Sequence, residues 1–187
     1  MFKKNDKKNV STGKPKIGGS VFVAPVGTEL PKDTTTPLNE AFKCLGYCSE
    51  DGITNENKIS TEKVKAWGGD TVVNALDEKE DTFKTKLIES LNEDVLKTVY
   101  GAENISGTIA TGLTVKVNNT QPEDNAFVFE MILKGGAIKR IVIPQASISE
   151  MGEIVYKDKD PIGYELTLMA LPDEEGNTHY EYIKKGA

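Results

Sequence analysis

Apolar and polar positions alternate with a period of two along most of this chain. Phe83, Thr85 and Leu87 lie on one side of a segment whose other side is Thr82, Lys84 and Lys86, the pattern of a half-buried strand. The same alternation runs through Phe127, Phe129, Met131 and Leu133, and through Tyr164, Leu166, Leu168 and Ala170. Shorter strands are predicted over residues 20–24, 41–49, 108–117, 147–156 and 180–184. In 41–49, Phe42, Cys44, Gly46 and Cys48 would share one face. In 108–117, Leu113, Val115 and Val117 would point inward. Gly135-Gly136 has the turn chemistry that joins 127–133 to 137–143 as a hairpin. The period changes only after Ile88. Leu91, Val95, Leu96 and Val99 recur at helical spacing, Ser90 with Glu93 has the form of a capping box, and Gly101 stands where a helix end tolerates positive φ. One short helix is predicted, over about residues 91–100.

Strands in quick succession without alternating helices imply a mainly β, antiparallel fold. The expected architecture is a β-sandwich or partly open barrel with that single helix on its flank. Residues 20–187 form one domain in this reading. Residues 50–81 are too polar for a core, yet too rich in β-branched residues for plain disorder. A protruding hairpin satisfies both facts. Trp67, the chain's one tryptophan, sits beside Gly68-Gly69 within it. A sheet body of this kind has open edges, and natural proteins cover them.

Charge refines the picture. The 187 residues carry a net charge of −6. Residues 1–19 hold six lysines and one acid, for +5, leaving 17 basic and 28 acidic residues in the remainder, for −11. The N-terminal stretch therefore reads as a flexible basic arm on an acidic body, and such a body repels phosphates rather than gripping them. No apolar run is long enough to cross a membrane. The N-terminus has lysines but no apolar stretch of the secretory kind, so folding in a cytosol is expected.

Catalytic constellations do not emerge. His179 is the only histidine, so no Ser/His/Asp set can be assembled, and no phosphate-cradling glycine loop occurs. Cys44 and Cys48 alone build neither a disulfide framework nor a metal site. Asp158 and Asp160 read as a solvated turn. No enzyme activity, cofactor or metal is expected. On these grounds alone the chain is an all-β domain, and a carbohydrate- or protein-binding sandwich module stays open. Such a module would want an exposed aromatic cluster, whereas aromatic residues make up 7% of the chain.

Five stretches in order narrow this: residues 38–42 (LNEAF), 46–53 (GYCSEDGI), 65–70 (KAWGGD), the strand and helix of 83–101, and 172–182 (PDEEGNTHYEY). Together they resemble the major tail, or tail tube, proteins of long-tailed non-contractile bacteriophages and prophages of Gram-positive bacteria. The resemblance covers roughly residues 17–187. It implies a virion subunit that assembles as stacked hexameric rings around a tape-measure protein, in contact with tail terminator and distal tail proteins. Viral DNA would pass transiently through the bore. It also implies that 50–81 reaches a neighbouring ring, which makes Trp67, Lys65, Asp70, Ile53 and Val64 candidates for contact between copies. Glu130 and Glu165, on outward faces of strongly patterned strands, are candidates for lining the bore. The alternative within the same setting is another phage tail part or a capsid-decoration protein.

Overall fold

The computed structural model describes residues 4–185. The described residues are mainly β with one α-helix, and their large antiparallel sheet does not close into a barrel. In chain order the strands are β1 (Gly13–Pro15), β2 (Val21–Pro25), β3 (Lys43–Cys44), β4 (Cys48–Lys65) and β5 (Thr71–Leu87). Helix α1 (Glu93–Tyr100) comes next, then β6 (Ile105–Thr108), β7 (Gly112–Val115), β8 (Asn125–Leu133), β9 (Ile138–Met151), β10 (Tyr164–Ala170) and β11 (Tyr180–Lys184). The main sheet runs β3-β2-β8-β9-β10-β5-β4, with β1 also on β8 and β11 also on β9. β6 and β7 form a separate small hairpin.

Strand β9 is long enough to serve both halves of the sheet. On one edge it pairs first with β11, over Ile138–Val142, and then with β10, over Ala146–Met151. Pro144 falls at the change of partner, where its missing N–H breaks no ladder. The main core lies on one face of this sheet. Phe83, Leu87, Phe127, Phe129, Ile143, Leu166 and Leu168 are all essentially buried there, and α1 adds Val95, Leu96 and Val99. A second, smaller cluster covers the opposite face of β8 and β9, with Ala126, Val128 and Val142 under Phe42, Leu30 and Leu38. β8 is therefore buried on both faces, which its one-sided apolar stripe did not announce.

The predicted alternation holds on β5, where Phe83, Thr85 and Leu87 are buried, and on β10, where Tyr164, Leu166, Leu168 and Ala170 are. Other expectations are corrected. Asn92, not Ser90, caps the helix: its side chain accepts from the Asp94 N–H at 3.0 Å. Leu91 precedes the helix and is exposed. Gly101 does end it, at φ 89°. Residues 41–49 are not one strand, because Gly46 turns the chain at φ 75°. A Cβ there would collide with the Glu89 carboxylate, which instead accepts from the Tyr47 N–H at 3.0 Å. Cys44 and Cys48 consequently lie on separate strands, both free and half-buried. Of residues 108–117 only Gly112–Val115 form a strand of their own, β7, Thr108 being the last residue of β6, and Val117 is exposed. Strand structure in 147–156 stops at Met151. From Gly13 onward, the segment expected to be a free arm is paired to the body: β1 lies on β8 and Lys16 meets Glu130.

Candidate assembly interface

The largest feature with no partner in the chain is the ribbon formed by β4 and β5. The two strands pair from Cys48 opposite Leu87 to Lys65 opposite Thr71. At ~3.3 Å per residue, the part beyond Asn57 and Asp81 projects roughly 30 Å from the body. Extra residues at the register shifts after Ser60 and Val64 twist the ladder. At the tip the Ala66 N–H donates to Asp70 O at 2.8 Å and the Gly69 N–H to Ala66 O at 2.9 Å, with Gly69 at φ 93°.

A buried carboxylate holds the root of this ribbon. Asp81 has no exposed side-chain surface. Its Oδ2 accepts from Thr178 Oγ1 at 2.5 Å and meets His179 Nδ1 at 2.5 Å, and its Oδ1 accepts from Asn55 Nδ2 at 2.8 Å. Both strands of the ribbon are thereby tied to the segment leading into β11. Burial alone would push the Asp81 carboxyl upward. The hydrogen bonds from Thr178, Asn55 and His179 outweigh it and hold the group below the usual carboxylate range. Phe83 packs edge-on beneath the His179 ring, with centroids 5.1 Å apart.

Above the root the ribbon presents unpaired apolar surface. Trp67 is 103% exposed, and Ile59, Val64, Val72, Val73 and Leu76 are each about half exposed or more. Val64 stands opposite Val73, while Ile59 and Leu76 lie diagonally near one another on the other face. Polar links are few, among them Lys58–Glu80 at 3.3 Å and Ser60 Oγ to Asp77 at 3.3 Å. Two strands alone are marginal in water. Six large apolar side chains held out on such a ribbon need another surface to cover them.

The candidates named from the sequence distribute unevenly. Trp67, Lys65, Asp70 and Val64 come together at the tip, all exposed. Ile53 does not join them; it lies at the root, opposite Thr85, half-buried against the main core. Ile59, Val72, Val73 and Leu76 were missed, although for the first three a β-branched side chain in an otherwise polar stretch was the available signal. Glu165 is half-exposed on β10 and pairs with Lys84 at 2.7 Å. Glu130 is not on an outward face at all. It is 3% exposed, bound by the equally buried Arg140, the chain's only arginine, and by Lys16 at 2.5 Å. Period two placed it opposite Phe129 correctly, but that second face of β8 is covered by residues 30–42. Arg140 also donates to the carbonyls of Asp33 and Thr36, at 2.7 and 2.8 Å, and so fastens that cover.

Among the described residues no group of three His, Cys, Asp or Glu could hold a metal ion. No described helix is long and apolar enough to cross a membrane.

No curated protein matches the sequence. A solved structure it resembles is the cryo-EM structure of the anti-feeding prophage cap, the tube-terminating cap. The likeness spans 94% of this chain and 96% of that one at 8% identity, with a TM-score of 0.44. A likeness of that degree carries no functional weight. Residues 5–187 match the family described as phage tail tube protein, and over nearly its whole length the chain belongs to that family.

Proposed function

We propose that this structural tail protein is the repeating subunit of a hollow tube, closing into hexameric rings that stack around a tape-measure protein. The exposed β4–β5 ribbon is the observation that supports this most. It offers apolar surface with no intrachain partner, and a ribbon meeting a different patch on the next copy makes a heterologous contact, which propagates rather than stopping at a dimer. Rings arise when the rotation between copies closes, and the ribbon supplies the link along the axis.

The conduit reading rests on charge. The chain beyond residue 19 carries −11, so a bore built from it repels the DNA that must slide through it. Glu165 remains a candidate for that lining; Glu130, buried and doubly paired, does not. The tape-measure protein, tail terminator and distal tail proteins are the further partners of such a tube. The virion is its place of work and the host cytoplasm its place of synthesis. A non-contractile tail and a Gram-positive host are supported by the order of the sequence stretches alone.

Shortening the ribbon tests the proposal. Replacing residues 58–79 by a tight turn leaves Asn55, Asp81 and the core untouched. The variant should remain folded by circular dichroism and give no rods in negative-stain micrographs at concentrations where the intact chain forms hollow, six-fold ones. Long hollow rods from the shortened chain would remove the ribbon from the axial contact. An intact chain that stays monomeric at every concentration would remove the tube.

A further inference from the structure

β1 and β2 lie along the same edge of β8, one after the other. β2 pairs with Asn125–Phe129 and β1 with Met131–Leu133. The link between them is the loop through Ile17, Gly18 and Gly19. Gly18 and Gly19 both have positive φ, 92° and 140°, and Ile17 is 94% exposed. β1 itself is three residues long and exposed throughout. Its other fastenings are few: the Lys134 N–H donates to Thr12 O at 3.2 Å and Ser11 Oγ at 2.8 Å, the Lys16 N–H donates to Glu130 O at 3.2 Å, and Lys16 Nζ reaches the Glu130 carboxylate at 2.5 Å.

Resting on the tube reading, we propose that residues 13–16 are an exchangeable strand. They cover the β8 edge of their own chain in the free subunit and occupy the same edge of a second copy in the assembly. Three features of the structure support this. First, leaving does not orphan a buried charge: Glu130 keeps Arg140, which is 3% exposed and bound to the same carboxylate, while Lys16 is already 39% exposed. Second, a hinge lies at Gly18, where φ is positive and a side chain would face open space, while Gly19, packed close against Phe22 and Cys44, marks its fixed end. Third, Lys14 and Lys16 give the segment +2 against −11 for the chain beyond residue 19, so the acidic surface of a neighbouring copy holds it as readily as its own. Exchange recreates the same hydrogen bonds, so pairing is conserved while each arm links two subunits. The closed form covers an edge whose exposure invites uncontrolled pairing.

Two chains, each with one added cysteine, test this directly. Lys14 and Ile132 are cross-strand partners, and directly opposed antiparallel residues lie within disulfide reach. A Lys14→Cys chain is mixed with an Ile132→Cys chain, assembled, oxidised and run on a non-reducing gel beside the wild-type chain, which controls for Cys44 and Cys48. A covalently joined heterodimer, absent from the wild type, is expected from assembled material. In the double variant K14C/I132C, oxidation of the monomer should lock the arm closed and abolish rods, and reduction should restore them. Rods without the heterodimer, or rods from the locked chain, overturn the exchange while leaving the tube reading intact. Failure of the wild-type chain to form rods under any condition overturns both.

Discussion

Trp67→Ala separates assembly from folding most cleanly. Its side chain is fully exposed at the ribbon tip and touches nothing that the folded chain needs. An indole of ~150–250 Å² covered at ~25 cal/mol per Å² would contribute about 4–6 kcal/mol as an upper bound. Ordering of the side chain and imperfect packing reduce this to about 2–4 kcal/mol, the size of an interface hot spot. At 1.4 kcal/mol per decade, the critical concentration for rod formation should rise by roughly 30- to 700-fold. Sedimentation of rods across a dilution series measures this. The monomer should melt within about 2 °C of wild type, because exposed substitutions change stability by less than ~0.5 kcal/mol. A critical concentration within about threefold of wild type would show that the tip is not a contact. A melting point lowered by many degrees would show that the ribbon is part of the body's stability rather than an appendage.

Asp81→Asn should cost about 2–4 kcal/mol, the scale of hydrogen bonds to a buried charge. Because the folded carboxyl is held below its ordinary value, its contribution is complete above the unfolded value near ~4 and is lost as pH falls through the folded one. The gap in melting temperature between wild type and variant should therefore be constant from neutral pH to about 5 and narrow below ~4; a gap that widens in acid would refute the assignment. Arg140→Met leaves Glu130 buried beside a half-exposed lysine and should cost about 3–5 kcal/mol in urea unfolding. Adding Glu130→Leu should recover part of that loss, and equal losses for the single and double variants would contradict a coupled pair. Gly46→Ala forces a side chain onto the Glu89 carboxylate at a positive φ, at a cost of at least ~1–2 kcal/mol. An unchanged melting point would mean that the turn at Gly46 is misplaced.

The alternating strands β5 and β10 and the helix were legible in the sequence because each is written in local periodicity. Phe83, Thr85 and Leu87 alternate on β5 as they do in the sequence, and Val95, Leu96 and Val99 face the core at helical spacing. The family was legible too, through five short stretches in order. Tertiary structure alone decided what each face meets. Glu130 obeys the period of β8, yet the loop of residues 30–42 folds over that face and Arg140 converts an outward carboxylate into a buried ion pair. Asp81 looked like one more acid in a polar hairpin until residues 178 and 179, nearly a hundred positions later, closed on it. Gly46 broke a strand by turning the chain at φ 75°, and Glu89 fills the space beside it that a side chain would need. Side-chain period is set by backbone geometry within a few residues, whereas burial is set by whichever distant segment arrives to cover a face, and that is a property of the packed chain.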